Sequence, residues 1–125
     1  MTGSNDLVLV DFEYSGYNPR GLDLVNHFCE WMYDYQSETN SEKMQWELYP
    51  SIEKQRNFLS AYIGNTKSDD VDTLLQEISD WILGNHIYWA LWGMVQATRN
   101  DIDYDYWAYS FCRYDAFREE LESRK

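Results

Sequence analysis

The residues best suited to chemistry fall in two places. Asp11-Phe12-Glu13 follows directly on Leu7-Val8-Leu9-Val10, a β-prone apolar run long enough for one buried strand. A carboxylate at a strand end is pinned by the sheet and points into the cleft beyond it. Phosphoryl-transfer enzymes use such an aspartate to hold Mg²⁺ against nucleotide phosphates. Asp also ends strands simply by making a turn, and the tripeptide alone does not separate the two roles. Trp89 and Trp92 are three residues apart, on one face of any helix that carries them. Aromatic stripes of this kind ordinarily pack into a core. Facing a cavity, they suit a quaternary ammonium. That group donates no hydrogen bond and is held by aromatic faces within about 6 Å, each worth ~0.5–2 kcal/mol.

The remaining reactive side chains form no such pattern. Cys29 and Cys112 lack metal-type spacing and read as small buried hydrophobes. His27 and His86 have no metalloprotease-type context, and each reads as a packed, hydrogen-bonded histidine. The net charge of −12, from 10 basic and 22 acidic residues, argues against nucleic acid and anionic membrane as partners, since both need a basic footprint. It is compatible with a cationic small ligand, although acidity alone mostly reports solubility. There is no secretory apolar region after Met1 and no run of about 18 apolar residues, so membrane insertion is not expected. The expected compartment is soluble and reducing, the cytoplasm.

The elements that position these residues are mostly helical. With 125 residues the chain is one domain's worth. A turn-rich loop at 14–21 leads to a predicted helix over 22–33, with Leu24, Val25, Phe28, Trp31 and Met32 at helical spacing. A polar surface loop is expected over 36–47. Ser51 then reads as an N-cap for a helix reaching Ile63 that buries Ile52, Phe58, Leu59 and Tyr62. After a turn at 65–70, a long helix is predicted over 71–98. Leu74, Leu75, Ile78, Ile82, Trp89 and Trp92 lie along one side, and Gly84 is a place to bend or divide it. An acidic loop at 100–105 leads to a last helix over 106–121. The lone strand at 7–10 needs a hairpin neighbour that the sequence does not offer, a sign of truncation.

From Asp11 to Met32 the sequence closely resembles a signature of choline/ethanolamine kinases: Asp11-Phe12-Glu13-Tyr14, a Tyr17-Asn18 turn, Asp23 in the next helix, then Asn26-His27-Phe28 and Glu30-Trp31. A second block, His86-Ile87-Tyr88-Trp89-Ala90-Leu91-Trp92-Gly93-Met94-Val95-Gln96-Ala97, resembles a later helix of that family. The likeness runs over nearly the whole chain from Leu7, with the polar loops diverging. It implies a helical C-terminal lobe of a protein-kinase-like fold behind one short N-terminal strand or hairpin remnant, residues 1–125 forming a single partial domain. By the same resemblance Asp11 holds Mg²⁺, and Asp23 accepts hydrogen bonds from the backbone of a catalytic loop. Tyr14, Glu30, Tyr35, Trp89, Trp92, Ile102, Tyr104 and Tyr109 would line an amino-alcohol pocket. The family often has Phe where Tyr104 stands.

The resemblance implies ATP-dependent phosphorylation of choline, with ethanolamine second, in the first step of phosphatidylcholine or phosphatidylethanolamine synthesis. Mg²⁺ and ATP would act only in the complete enzyme, for which a homodimer is compatible with the family. The family's nucleotide lobe and its His-Asn-Asp catalytic loop, which carries the general base, are expected upstream. Asn5-Asp6-Leu7 lacks the preceding His and reads as turn chemistry. No catalytic base is therefore expected in these 125 residues, and the chain by itself is expected to be inactive. The competing expectations are a truncated, non-catalytic binding module that still grips a cation or a partner protein, and an inert gene fragment.

Overall fold

The computed structural model describes residues 8, 10–64, 68–99 and 102–125. Four α-helices and one short 3₁₀ turn account for the described secondary structure: α1 (Arg20–Glu30), the 3₁₀ turn (Trp46–Leu48), α2 (Ile52–Ile63), α3 (Ser68–Ala97) and α4 (Tyr106–Ser123). Among the described residues the predicted strand is not found. Val8 and Val10 are not in a strand and are exposed, and no strand lies among the described residues to pair with them. An extended apolar segment without a hydrogen-bonding neighbour has nothing to hold it in a sheet. Leu7 and Leu9, and the turn expected of Asn5 and Asp6, lie outside the described residues.

Helix α3 is the spine, and the other helices are placed along it. Contacts Arg20–Glu77 and Asn26–Asn85 run in the same order on both helices, so α1 lies parallel to α3. On α4 the order reverses. Arg113 meets Asn85, while Arg124, farther along α4, meets Ser79, so α4 is antiparallel. Two glycines permit the closest approaches. A Cβ on Gly21 of α1 would lie 2.7 Å from the Glu77 carbonyl oxygen, and one on Gly93 of α3 would strike Ser110 and lie 2.9 Å from Cδ1 of Tyr109 on α4. Helix α3 is continuous through Gly84, where the sequence allowed a break.

Between these helices sits one core, built around Leu24, Val25, Phe28, Cys29, Met32, Leu59, Leu74, Ile78 and Ala116. The N-caps follow local chemistry. Ser51 accepts a hydrogen bond from the Lys54 amide at 3.4 Å and Asp105 from the Ala108 amide at 2.9 Å. Helix α2 touches the rest on a narrow face. Leu59 is fully buried and Phe58 packs at the core edge, but Ile52 and Tyr62, expected inside, are more than half exposed. Ile52 and Tyr62 lie in the first and last turns of α2, to either side of Phe58, which stacks on His27 of α1 with ring centroids 4.3 Å apart. His27 is thus packed as expected, although its side chain is exposed. Cys29 is buried as expected. Cys112 is half-buried and accepts from the Met44 amide at 3.4 Å.

Candidate amino-alcohol site

Helix α1, the C-terminal third of α3, the start of α4 and the loop at 11–19 meet around two adjoining cavities. The smaller, about 480 Å³, is lined by Tyr14, Asn26, Glu30, Tyr35, Trp89, Trp92, Tyr104, Tyr106 and Tyr109. The larger, about 830 Å³, carries the carboxylates Asp11, Glu13 and Asp23, together with Arg20 and Gln96. Both have Tyr14, Asn26, Trp89, Trp92 and Tyr106 in their walls.

The aromatic walls form one connected set. Trp89 and Trp92 meet edge to face with centroids 5.3 Å apart, and Tyr14 stands at 6.2 Å from the first and 6.1 Å from the second. From α4, Tyr109 and Tyr106 close on Trp92 at 6.0 and 5.7 Å. Tilted and edge-to-face arrangements of this kind suit the ring quadrupoles. The loop that brings in Tyr14 is tethered by the Gln96 amide, which donates to the Tyr14 hydroxyl at 3.4 Å. Tyr104 is held by its hydroxyl, which donates to the Ser41 carbonyl at 3.3 Å.

Beneath the rings lies a charged floor. Arg113 on α4 has no solvent exposure. Its Nη2 donates to Glu30 Oε1 at 2.9 Å, its Nη1 to Asn85 Oδ1 at 3.3 Å and its Nε to the Tyr109 hydroxyl at 3.2 Å. The guanidinium also lies 5.0 Å from the Tyr33 ring centroid and 5.5 Å from that of Tyr109. Glu30 Oε2 accepts from the Tyr35 hydroxyl at 2.6 Å, and the Tyr35 ring stacks on Tyr33 at 5.4 Å. Burial, and then the Glu30 carboxylate, push the Tyr35 phenol far above its ordinary range, so it stays a donor. Asn85 in turn donates to Asn26 at 3.0 Å. Glu30 is thus half of an ion pair rather than a bare anion.

Seven of the eight pocket residues singled out in the sequence therefore line one cavity. Ile102 is exposed and is not among its walls. Asp11 lies in the adjoining cavity, exposed, with its backbone in the left-handed region at φ 67°. Asp and Asn tolerate that conformation better than most residues. Among the described residues no three His, Cys, Asp or Glu side chains cluster to hold a metal alone. A hard cation such as Mg²⁺ takes oxygen donors, and Asp11, Glu13 and Asp23 bring carboxylates to this cavity. Sequence reasoning missed Arg113, Asn26, Asn85 and Tyr106. An arginine in an ordinary helical run carries no mark of burial. His86 is buried as expected, but its Nδ1 finds no partner among the described residues. Burial, then the nearby Arg113 charge, push its pKa down to about 4.

No described helix is long and apolar enough to cross a membrane. The helical lobe is similar to an ethanolamine kinase of Plasmodium vivax, with a TM-score of 0.75 and 30% identity over 89% of this chain and 29% of that one. The sequence is 36% identical to choline kinase alpha of Mus musculus, over 91% of this chain and 28% of the relative. It is also 36% identical to a probable choline kinase 1 and to a probable ethanolamine kinase of Arabidopsis thaliana, each over 91% of this chain and about a third of theirs. The chain thus spans roughly a third of the length of these relatives. The choline/ethanolamine kinase family model matches residues 1–118. With the helical lobe, the aromatic cavity and the carboxylate beside it in place, the chain belongs to the choline/ethanolamine kinase family.

Proposed function

We propose that residues 1–125 are a partial domain, the amino-alcohol-gripping portion of an ATP-dependent kinase for choline, with ethanolamine second. The observation that carries this reading is the wall shared by the two cavities. Tyr14, Trp89 and Trp92 face the aromatic cavity on one side and the Asp11 cavity on the other. An ammonium seated among the rings would keep its hydroxyl arm within a short molecule's reach of the carboxylates.

Each residue has a distinct task in this reading. Trp89, Trp92, Tyr14, Tyr104 and Tyr109 hold the cation by their faces and exclude water. Arg113 and Tyr35 fix the orientation of the Glu30 carboxylate. Asp11 would hold Mg²⁺, whose contribution when bound is to neutralise charge on the transferring phosphoryl group. No described side chain in the aromatic cavity suits the role of general base. Glu30 is ion-paired, and the tyrosines Tyr35, Tyr104 and Tyr109 titrate above their usual range because burial disfavours the phenolate.

Calorimetric titration of choline into the 125-residue chain tests the reading. Saturable binding is expected. Trp92→Ala should weaken it about 5–30-fold, the equivalent of ~1–2 kcal/mol for one aromatic wall. A correctly folded wild-type chain that binds neither choline nor ethanolamine would remove the basis of the proposal.

A further inference from the structure

We propose that Tyr35 is a specificity-determining residue: by donating its phenolic hydrogen to Glu30, it biases the aromatic cavity toward a fully methylated ammonium and against one that carries N–H groups. The inference rests on the reading that this cavity takes an amino alcohol, and it concerns how that site tells one amine from another.

Among the described residues Glu30 is the one acidic side chain in the walls of the aromatic cavity. Each of its oxygens already accepts one hydrogen bond, Oε1 from Arg113 at 2.9 Å and Oε2 from Tyr35 at 2.6 Å, so about half of its lone-pair sites are taken before a ligand arrives. The Asn26 side-chain oxygen, another acceptor in the wall, already receives the Asn85 amide at 3.0 Å. A primary ammonium brings three N–H donors, and each loses a water on entering. A donor left without a partner in such a site costs the desolvation of that group. A trimethylammonium brings no N–H donors. It presents methyl groups to the Trp89, Trp92 and Tyr14 faces and needs nothing from Glu30 beyond its field. Arg113 partly cancels that field, which leaves the rings as the main source of attraction.

The bond from Tyr35 is the adjustable one. Arg113 is fully buried and tied to Asn85 and Tyr109 as well as to Glu30, whereas Tyr35 is half exposed and lies flat on Tyr33. Tyr35→Phe keeps the ring and its stacking, removes only the donor, and returns Glu30 Oε2 to the cavity.

The test is a calorimetric series at neutral pH with ethanolamine, N,N-dimethylethanolamine and choline, using the 125-residue chain and its Tyr35→Phe variant. In the wild type, affinity is expected to rise with each step of methylation. In Tyr35→Phe the choline-to-ethanolamine affinity ratio is expected to fall about tenfold, mainly because ethanolamine binds better. A wild-type series that binds choline but shows no dependence on methylation would overturn the inference without needing the variant. An unchanged ratio in a folded Tyr35→Phe chain would overturn it as well. Either result leaves the amino-alcohol reading standing. Failure of the wild type to bind any of the three amines would instead overturn that reading, and this inference with it.

Discussion

The two adjoining cavities share a wall but are built in opposite ways. The aromatic cavity is assembled from three helices and the loop residues Tyr14, Tyr35 and Tyr104, and is closed beneath by a hydrogen-bonded network in which Arg113, Glu30, Asn85 and Asn26 hold one another. Its geometry is set by the core. The carboxylate cavity is formed largely by the loop at 11–18, with Asp11 and Glu13 exposed and Tyr14 tethering the loop to α3. Gripping a cation by its faces requires preformed surfaces, because no hydrogen bond can pull a loose site into shape. Holding a metal between protein and phosphate tolerates an open site, since the phosphate supplies part of the shell. In the proposed reading, the half tied to the core serves recognition and the open half serves transfer.

Separating the halves by mutation is the most direct way to break this comparison. In an active kinase carrying this segment, Asp11→Asn should lower kcat by several orders of magnitude, because a hard cation loses its carboxylate. Asn keeps the size and tolerates the same left-handed backbone, so the thermal melt and choline binding should be unaltered. A steady-state assay across a Mg²⁺ titration, run beside the melt, decides it. Retained kcat would assign Asp11 to the turn alone.

A second test asks whether the aromatic half is as firmly tied to the core as its network implies. Folding holds the His86 pKa near 4, below the ordinary value of about 6.5, because of burial and then Arg113. The unfolded chain then binds the proton more readily than the folded one. The stability this contributes is complete above about pH 6.5 and is lost as pH falls through about 4. The total is about 3 kcal/mol. Urea unfolding at pH 7.5 and 4.5 should show that loss in the wild type and a smaller one in His86→Gln. Equal losses would mean that other groups carry the acid sensitivity.

The smallest expected effect sharpens the comparison at the rim. Tyr104→Phe keeps the ring and loses one 3.3 Å hydrogen bond to the Ser41 carbonyl. It should cost under about 1 kcal/mol in choline affinity, as expected if faces rather than hydroxyls do the gripping. A larger loss by calorimetry would assign the Tyr104 hydroxyl a direct contact with the ligand.

What the sequence revealed follows the same division. Helix α2 announces itself by Ser51, whose hydroxyl is a local device and needs no knowledge of the rest of the chain. Helical spacing placed Trp89 and Trp92 on one face, but only the likeness to a family pointed that face at a cavity rather than at the core. Arg113 was not legible, because its burial depends on Glu30, 83 residues away, and on Asn85, 28 residues away. The exposure of Ile52 and Tyr62 was likewise hidden, since periodicity gives the apolar face of a helix but not the width of its neighbour. The run at 7–10 has strand-forming residues, yet a strand exists only with a partner, and composition does not supply one.

The absent side chain of Gly93 has a consequence beyond packing. It sits one residue after Trp92, and the atoms that a Cβ there would strike belong to Ser110 and Tyr109. The separation between the α3 wall and the α4 wall is thus gauged by a residue with no place in either cavity's lining. The aperture offered to a ligand is a property of how closely two backbones can cross. Under the proposed reading, substrate size is therefore open to tuning from behind the rings, by a position outside the lining of either cavity.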